Sequence, residues 1–380
     1  MPVSAPYFRF EILHQSQKSR ARVGKIYTPH GVIDTPNFVA VGTNGTLKAL
    51  DNQLVTQMGL QLMFCNTYHL MLQPGAEQVA KLGGLHKFIK RDLPIITDSG
   101  GFQVFSLAGG KVTNELKSRG QKNYANGILK ISEAGVLFRS YRDGAKILLT
   151  PESSIIAQKN LGADIIIPLD ELPAHNITDR ELISSLERTH RWEERSLNTH
   201  LADPRQQAIY AVIHGGINPE LRLKSCQVLS NLPFDGFAIG GSLGQNHAQM
   251  FEMLSYLMPA LPDHKPNHLL GIGDLKSIES MVMLGVDTFD SAYPTKCARH
   301  GLLFTSTGYI RIISSSNRDN LNPIDSTCNC WTCQNYSRAY LHHLFKASEL
   351  TAYTLATMHN LKFMIDRLAH YRQQIQHNLI

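Results

Sequence analysis

The chain has 380 residues, of which 43% are hydrophobic and 18% are charged, and its formal net charge at pH 7 is +6. This length and composition suit one barrel-sized domain with an appendage or two ordinary domains, and they indicate a globular chain throughout. No run approaches 18 apolar residues, and the first residues lack a basic segment before a long apolar stretch, so we expect neither a membrane span nor a secretory signal.

Eight short apolar segments recur along the chain, and nearly all end in a polar or glycine-rich tip. These predicted strands lie at 37–41, 62–65, 94–97, 164–169, 208–213, 234–239, 268–272 and 287–289. Helix-length amphipathic segments separate most of them, as a parallel sheet requires. The pattern predicts an α/β fold of the (β/α)₈ barrel type, with the active-site rim at the carboxyl ends of the strands. A doubly wound open sheet is the alternative, but it would place a glycine fingerprint after the first strand, and such glycines follow only the sixth.

A polar, glycine-containing stretch at 107–130 interrupts the third unit. We expect it to be an insertion after the third strand, forming a hairpin or flap beside the rim. A solvated surface loop and a nucleic-acid contact explain its charges equally well. The basic residues of this stretch are Lys111, Lys117, Arg119 and Lys122.

Three closely spaced cysteines and one downstream histidine form the strongest metal-binding pattern. The set is Cys328, Cys330, Cys333 and His359. Three thiolates and one imidazole complete a tetrahedral zinc shell without an open position, so one structural Zn²⁺ per chain is predicted. Accidental or redox-active cysteines are the alternative, and His342 and His343 are competing ligands. We therefore predict a barrel domain at 1–320 and a zinc-binding subdomain with a C-terminal helix at 321–380.

The net charge and the remaining cysteines bear on partner and compartment. A charge of +6 with 17 histidines mildly favours a polyanionic partner. Cys65, Cys226 and Cys297 are scattered and odd in number, which suits a reducing compartment. We expect a soluble cytoplasmic protein without a membrane partner.

Three aspartates follow predicted strands and would share one rim. Asp98 lies in ITDSGG, Asp170 in PLDELP and Asp290 in TFDSAYP. Any one of them could simply cap the next helix, but three on separate strands are harder to explain in that way. Paired carboxylates suit attack at an anomeric carbon, one as the nucleophile and the other handling the leaving group's proton. The residues therefore point to glycosyl transfer.

Six motifs are distributed over essentially the whole chain. They are TPNFVAVGTNGTLKAL (35–50), FCNTYHLMLQPG (64–75), ITDSGGFQVFSL (96–107), DGFAIGG (235–241), LLGIG with VDTFDSAYPTKCARHG (269–273 and 286–301), and CNCWTC with YSRAYLHHL (328–344). Together they resemble the tRNA-guanine transglycosylases of the bacterial type. The resemblance implies a pentosyltransferase that exchanges the wobble guanine of tRNAs with a GUN anticodon for a 7-deazaguanine base. It also implies a zinc-bearing TIM barrel that usually works as a homodimer.

The resemblance assigns roles to individual residues. Asp290 resembles the nucleophile that attacks the ribose anomeric carbon, and Asp98 resembles the residue that binds the base edge and moves protons. The further base-binding residues would be Asp170, Phe102, His214, Gly240 and Gly241. Lys296 and Arg299 would contact the tRNA anticodon loop. These roles suit guanine, because carboxylates accept its adjacent N–H donors, an aromatic ring stacks on it, and the base must leave its stack to react.

Several positions around the pocket depart from the bacterial pattern. His214 stands where glutamine is usual, Leu172 stands where cysteine is common, and the shorter GGSLG loop places Gly244 near a position that is commonly valine. The changes at Leu172 and Gly244 make the pocket wall more apolar or more open. We therefore expect queuine, which carries a bulky cyclopentenediol, to be favoured slightly over its 7-aminomethyl precursor.

Two functions of other classes remain open from the residues alone. A retaining glycoside hydrolase also uses two carboxylates on a barrel, but two tryptophans are few for an aromatic-lined sugar cleft. A non-catalytic tRNA-binding subunit would be expected to lose a catalytic aspartate, and both Asp98 and Asp290 are present.

Overall fold

The computed structural model describes residues 7–108, 127–173 and 177–380. The strands in this part of the chain are β1 (Arg9–Gln15), β2 (Arg22–Thr28), β3 (Gly31–Thr35), β4 (Asn37–Val41), β5 (Met63–Cys65), β6 (Ile95–Thr97), β7 (Ile128–Ser132), β8 (Gly135–Arg139), β9 (Lys146–Leu149), β10 (Ile165–Ile166), β11 (Ala208–Ile213), β12 (Gly236–Ile239), β13 (Asn267–Leu269), β14 (Thr288–Ser291), β15 (Leu302–Thr305) and β16 (Gly308–Arg311).

The helices of the same ranges are α1 (Asn52–Gln57), α2 (Thr67–Leu72), α3 (Ala76–Lys81), α4 (Gly84–Ile89), α5 (Gly101–Ala108), α6 (Pro151–Leu161), α7 (Asp179–Ala202), α8 (Pro219–Ser230), α9 (His247–Leu257), α10 (Leu275–Met283), α11 (Tyr293–Arg299), α12 (Trp331–Asn335), α13 (Arg338–Lys346) and α14 (Leu350–Gln376). Short 3₁₀ turns lie at Met258–Ala260 and Ser315–Asn317. Among these described helices, none combines the length and the apolar character needed to cross a membrane.

Eight parallel strands close into a barrel in the order β4, β5, β6, β10, β11, β12, β13 and β14. The closure is made by β14, whose residues Thr288–Ser291 pair with Asn37–Ala40 of β4. Every barrel strand overlaps one of the eight segments predicted from the sequence. The (β/α)₈ prediction is therefore confirmed, and the open doubly wound sheet was the wrong alternative.

Side-chain and backbone contacts at the rim shift three strand ends from their predicted positions. The side chain of Gln158 donates to the carbonyl oxygen of Ile167 at 2.7 Å and accepts from its amide at 3.0 Å, so β10 ends earlier than predicted. β13 also ends early, because Gly271 has a φ of 79° and its amide turns to Asp290. β14 is longer than predicted, so Asp290 lies within the strand rather than just after it.

An antiparallel sheet of β1, β2 and β3 closes the N-terminal end of the barrel. Phe8, Ile26 and Ile33 of this region pack in one buried cluster with Val39, which points into the barrel. The neighbouring Phe38 belongs instead to the cluster between the strands and the helices, as the alternation of side chains along a strand requires. This arrangement leaves the opposite, carboxyl end of the barrel as the open rim.

A second antiparallel sheet, of β7, β8 and β9, lies in the chain between barrel strands β6 and β10. Val136 and Phe138 of β8 are buried in a separate cluster with Trp192 of α7. These three strands confirm an insertion after the third barrel strand, whereas most of the segment predicted at 107–130 lies outside the described residues. Lys111, Lys117, Arg119 and Lys122 lie outside the described residues.

The 27-residue helix α14 connects the C-terminal region to the barrel. Met364 and Leu368 pack in the main cluster between strands and helices, whereas Ala352 packs in a smaller C-terminal cluster. Asn360 donates to the carbonyl oxygen of Pro294 and accepts from the amide of Phe304, each at 3.0 Å. One helix therefore contributes to both clusters.

Candidate active site

The three predicted carboxylates come from three strands of the barrel and converge on its rim. Asp98 directly follows β6, Asp170 follows β10, and Asp290 lies in β14. Ser99, the residue after Asp98, lies with its Oγ 3.4 Å from Asp170 Oδ1, so the ends of β6 and β10 are in contact here. The negative charge of Asp290 raises the pKa of Asp98, so these two carboxylates interact electrostatically.

Asp98 is a buried carboxylate with three hydrogen-bond donors. Its Oδ2 accepts from Asn66 Nδ2 at 2.7 Å and from Gln103 Nε2 at 2.8 Å. Its Oδ1 accepts from the amide of Thr67 at 2.7 Å. Burial raises the pKa of Asp98 to about 6, the charge of Asp290 adds to the rise, and the three hydrogen bonds oppose it. A carboxyl group with this pKa can both accept and return a proton near neutral pH.

Asp290 is held by two donors on the same oxygen. Its Oδ1 lies 2.9 Å from the amide of Gly271 and 3.1 Å from Nε2 of His268. Within the described residues, no donor meets Oδ2. One oxygen is thus fixed and the other is available to a reacting atom.

Asp170 pairs with His214, which directly follows β11. The His214 Nε2 atom lies 2.7 Å from Asp170 Oδ2, and the His214 side chain is almost completely buried. A methyl group on Gly241 would lie 2.6 Å from His214 Nδ1, so a side chain at this position would displace the imidazole. Gly241 therefore leaves His214 the space to contact Asp170.

The predicted contact between the backbone of Gly240 or Gly241 and the base is only partly compatible with the existing backbone hydrogen bonds. The amide of Gly240 donates to the carbonyl oxygen of Ile213 at 3.2 Å, so contact with a base would require this bond to break. Phe102 lies on α5 and packs partly buried against the cluster that contains Leu172. The sequence-based roles of these residues stay predictions.

A cluster of potential metal ligands is formed by residues of α14 and of the segment that contains α12. The Nδ1 atom of His359 is 3.7, 3.4 and 3.3 Å from the sulfur atoms of Cys328, Cys330 and Cys333. Tetrahedral zinc bonds predict an S to N separation of about 3.6 Å, so the spacing fits such an ion. His359 Nε2 donates to the carbonyl oxygen of Phe304 at 2.7 Å, which leaves Nδ1 as the ligand. These four residues could hold a metal ion.

Comparisons with known proteins agree with this arrangement. A family model described as queuine tRNA-ribosyltransferase matches residues 16–379. The chain belongs to this family. It is 64% identical over 374 residues to the queuine tRNA-ribosyltransferase of Protochlamydia amoebophila, covering 98% of this chain and 97% of the relative. It is 55% identical over 368 residues to that of Chlamydia felis (97% and 98% covered) and 52% identical over 373 residues to that of Chlamydia trachomatis serovar D (98% and 99% covered).

Helix α11 carries the two residues that were predicted to contact tRNA. It begins two residues after β14 and contains both Lys296 and Arg299, each partly exposed. Arg299 Nη1 donates to the carbonyl oxygen of Thr295 at 2.9 Å, so its guanidinium lies along the helix. The helix thus brings two cations close in sequence to Asp290 in this member of the queuine tRNA-ribosyltransferase family.

Sequence analysis missed the groups that hold the carboxylates of this family member. Gln103 and His268 were not predicted as site residues, although each contacts an aspartate. Arg222 was also missed: it is fully buried and donates to the carbonyl oxygens of Gly216 and Ser242 at 2.8 and 2.7 Å, which ties together the loops after β11 and β12. The available signal for His268 was a polar residue at the start of the apolar segment HLLGI.

Proposed function

We propose that this protein exchanges the wobble guanine of tRNAs with a GUN anticodon for a 7-deazaguanine base. The observation that carries this proposal is the pair Asp290 and Asp98 on one barrel rim, the first with one oxygen fixed and one available, the second with a pKa of about 6. Membership of the queuine tRNA-ribosyltransferase family supports it and does not favour a glycoside hydrolase or a non-catalytic subunit.

The exchange proceeds in two displacements at the ribose carbon C1′. In the first, Asp290 Oδ2 forms a bond to C1′, the bond from C1′ to guanine breaks, and guanine leaves with the electron pair and a proton delivered through Asp98. In the second, the incoming base loses a proton to Asp98 and bonds to C1′, and the ester electrons return to Asp290. Each glycosidic bond that breaks is replaced by a similar one, so no energy-rich cofactor is required.

The remaining pocket residues bind the purine in this scheme. Asp170 accepts from the base edge while His214 fixes its second oxygen at 2.7 Å. Phe102 stacks on the ring, and Gly240 and Gly241 line the pocket. Lys296 and Arg299 contact the anticodon loop beside the wobble position, and the net charge of +6 attracts the tRNA phosphates.

The metal cluster is proposed to hold one structural Zn²⁺ per chain. Three thiolates and a histidine whose other nitrogen is hydrogen-bonded form a closed site that suits zinc. The ion would stabilise the region around α12 and α14 and take no part in the exchange. The boundary between a catalytic domain at 1–320 and a zinc-binding subdomain at 321–380 stays a prediction.

We further propose that the protein acts as a cytoplasmic homodimer. Exposed apolar side chains lie in the C-terminal region, where Leu321 is 83% and Trp331 56% exposed. The rings of Tyr336 and Tyr340 stack nearby at a centroid distance of 5.4 Å, and Tyr340 is also exposed. Such a patch favours burial against a second subunit. Light scattering should give a dimer mass, and a monomer at micromolar concentration would contradict the proposal.

Queuine is the incoming base that we favour, as the name of the related enzymes also suggests. Filling the loop at Gly244 with valine would be a poor test, because Gly244 has a φ of 93° and a Cβ atom would lie 2.8 Å from Gln249 Cβ. Direct competition between queuine and its 7-aminomethyl precursor is cleaner. A kcat/KM for the precursor that exceeds the value for queuine tenfold would contradict the preference.

The decisive experiment for the function is base exchange on guanine-bearing tRNA, followed by trapping of the covalent intermediate. Wild-type protein should incorporate the 7-deazaguanine base and give a protein–RNA band on a denaturing gel. Asp290→Asn should bind tRNA but give neither, because an amide does not form the ester. A covalent adduct with the asparagine variant would show that Asp290 is not the nucleophile.

A further inference from the structure

His268 lies beside Asp290 inside the barrel and is fully buried. Its backbone pairs with that of Thr288 in the register between β13 and β14. Because residues two apart in a strand share a face, His268 faces both Thr288 and Asp290. Its Nδ1 lies 2.8 Å from Thr288 Oγ1, and its Nε2 lies 3.1 Å from Asp290 Oδ1. The ring also stacks on Phe64 at a centroid distance of 6.0 Å.

The proton positions around His268 follow from its two partners. An ionised Asp290 has no proton to donate, so Nε2 must carry the proton of this contact. The hydroxyl of Thr288 can adapt to either state of Nδ1. It can donate to a bare Nδ1, or it can accept from a protonated Nδ1 while donating to the carbonyl oxygen of Asn267 at 3.1 Å. His268 therefore remains a donor to Asp290 whether the imidazole is neutral or charged.

This contact decides which oxygen of Asp290 is available. Oδ1 accepts from both His268 and the amide of Gly271. Rotation of the carboxylate would break both hydrogen bonds, each strengthened by the negative charge. Oδ2 is consequently held towards the reacting carbon, and in the ester intermediate Oδ1 becomes the carbonyl oxygen with the same two donors.

We propose that His268 is a positioning residue that presents Asp290 Oδ2 to C1′ and keeps the ester oriented for the second displacement. The inference rests on the proposed function, because it assigns the role of His268 within the same reaction. His268 acts only through Asp290 and does not contact the base. Its loss should therefore lower the rate of both displacements and leave tRNA binding nearly unchanged.

Two substitutions of similar size separate positioning from packing. His268→Gln keeps an N–H donor, whereas His268→Leu fills the space without one. We expect kcat and the rate of adduct formation to fall about 10- to 100-fold in His268→Leu, with KM for tRNA changed less than about twofold. His268→Gln should recover most of the rate. Activity of His268→Leu equal to or above that of His268→Gln would overturn the proposal, because packing alone would then explain the residue.

Thr288→Val provides an independent test if the His268 variants do not fold. Valine is close to threonine in shape but removes the hydroxyl that contacts Nδ1, so kcat should fall severalfold. The lost hydrogen bond to the carbonyl oxygen of Asn267 should also lower the melting temperature, so kcat is compared at a temperature where both proteins are fully folded. A kcat equal to that of wild type would overturn the proposal. Wild-type exchange is measured in parallel: its absence would refute the proposed function itself, whereas normal wild-type exchange with fully active variants would refute only the role of His268.

Discussion

Removing one donor from Asp98 should move the acid limb of the pH profile. The chosen change is Gln103→Met, which keeps the length of the side chain but removes the hydrogen bond from Gln103 Nε2 to Asp98 Oδ2 at 2.8 Å. This bond stabilises the ionised form and opposes the effect of burial, so its loss should raise the pKa of Asp98 above its wild-type value of about 6.

The magnitude follows from the strength of one hydrogen bond to a charged group. Such a bond contributes about 1.5–3 kcal/mol, and one pKa unit corresponds to about 1.4 kcal/mol, so the shift should be about 1–2 units. The bonds from Asn66 and Thr67 remain. With a pKa of about 7–8, the ionised fraction and hence exchange at pH 7 fall about two- to tenfold, and both recover near pH 9.

The measurement is kcat/KM for free guanine as the incoming base from pH 5 to pH 9.5, because this ratio reports the second displacement, in which Asp98 must be ionised to accept the proton of the base. Ser99→Ala is the matched control, since Ser99 Oγ contacts Asp170 rather than Asp98. Its acid limb should stay near pH 6. A uniform loss of activity in Gln103→Met without movement of the limb would refute the assignment of this titration to Asp98.

Three further outcomes are expected. Cys330→Ser should lose the metal and several kcal/mol of unfolding free energy. The control Cys226→Ser should retain about one metal ion per chain. An unchanged metal content in Cys330→Ser, measured by elemental analysis, would contradict the cluster assignment. His30→Asn should reduce the free energy of unfolding more at low pH than at high pH. The hydrogen bond to Asp164 raises the pKa of His30. The stabilisation by His30 is therefore present below its unfolded-state pKa of about 6.5 and is lost as pH rises through its folded-state pKa. Urea unfolding at pH 5.5 and pH 8.5 should therefore show a larger wild-type advantage at pH 5.5, and an equal advantage would refute the linkage. Lys296→Met should weaken tRNA binding and lower the salt slope by about one unit without affecting binding of the free base, and equal losses in both assays would mean that it shapes the pocket.

The barrel could be predicted because its strands are short, apolar and separated by amphipathic helices. The antiparallel sheet of β1, β2 and β3 was not predicted, because a strand such as β1 is largely half-exposed or exposed and produces no apolar run. The end of β10 could not be predicted either, because the side chain of Gln158 in α6 takes both backbone hydrogen bonds of Ile167. Strand ends set by tertiary contacts leave no local signal.

The carboxylates of the site could be predicted from their positions after the strands, but their partners could not. Asn66 and Gln103 meet Asp98 from two different segments, which requires knowledge of barrel register and helix direction. His268 reaches Asp290 because two adjacent strands align it with Thr288. The three cysteines of the candidate metal cluster could be predicted from their spacing, because they lie within six residues, whereas spacing left His342 and His343 as alternatives to His359.

The pairing of the first barrel strand with the last has a consequence for folding during synthesis. β4 is made early, but its partner β14 follows about 250 residues later, and α14, which packs beside β4, comes later still. A growing chain therefore exposes the edge of β4 until almost the whole protein has left the ribosome. At 5–20 residues per second this lasts roughly 15–60 s, during which this strand edge is open to association with other chains.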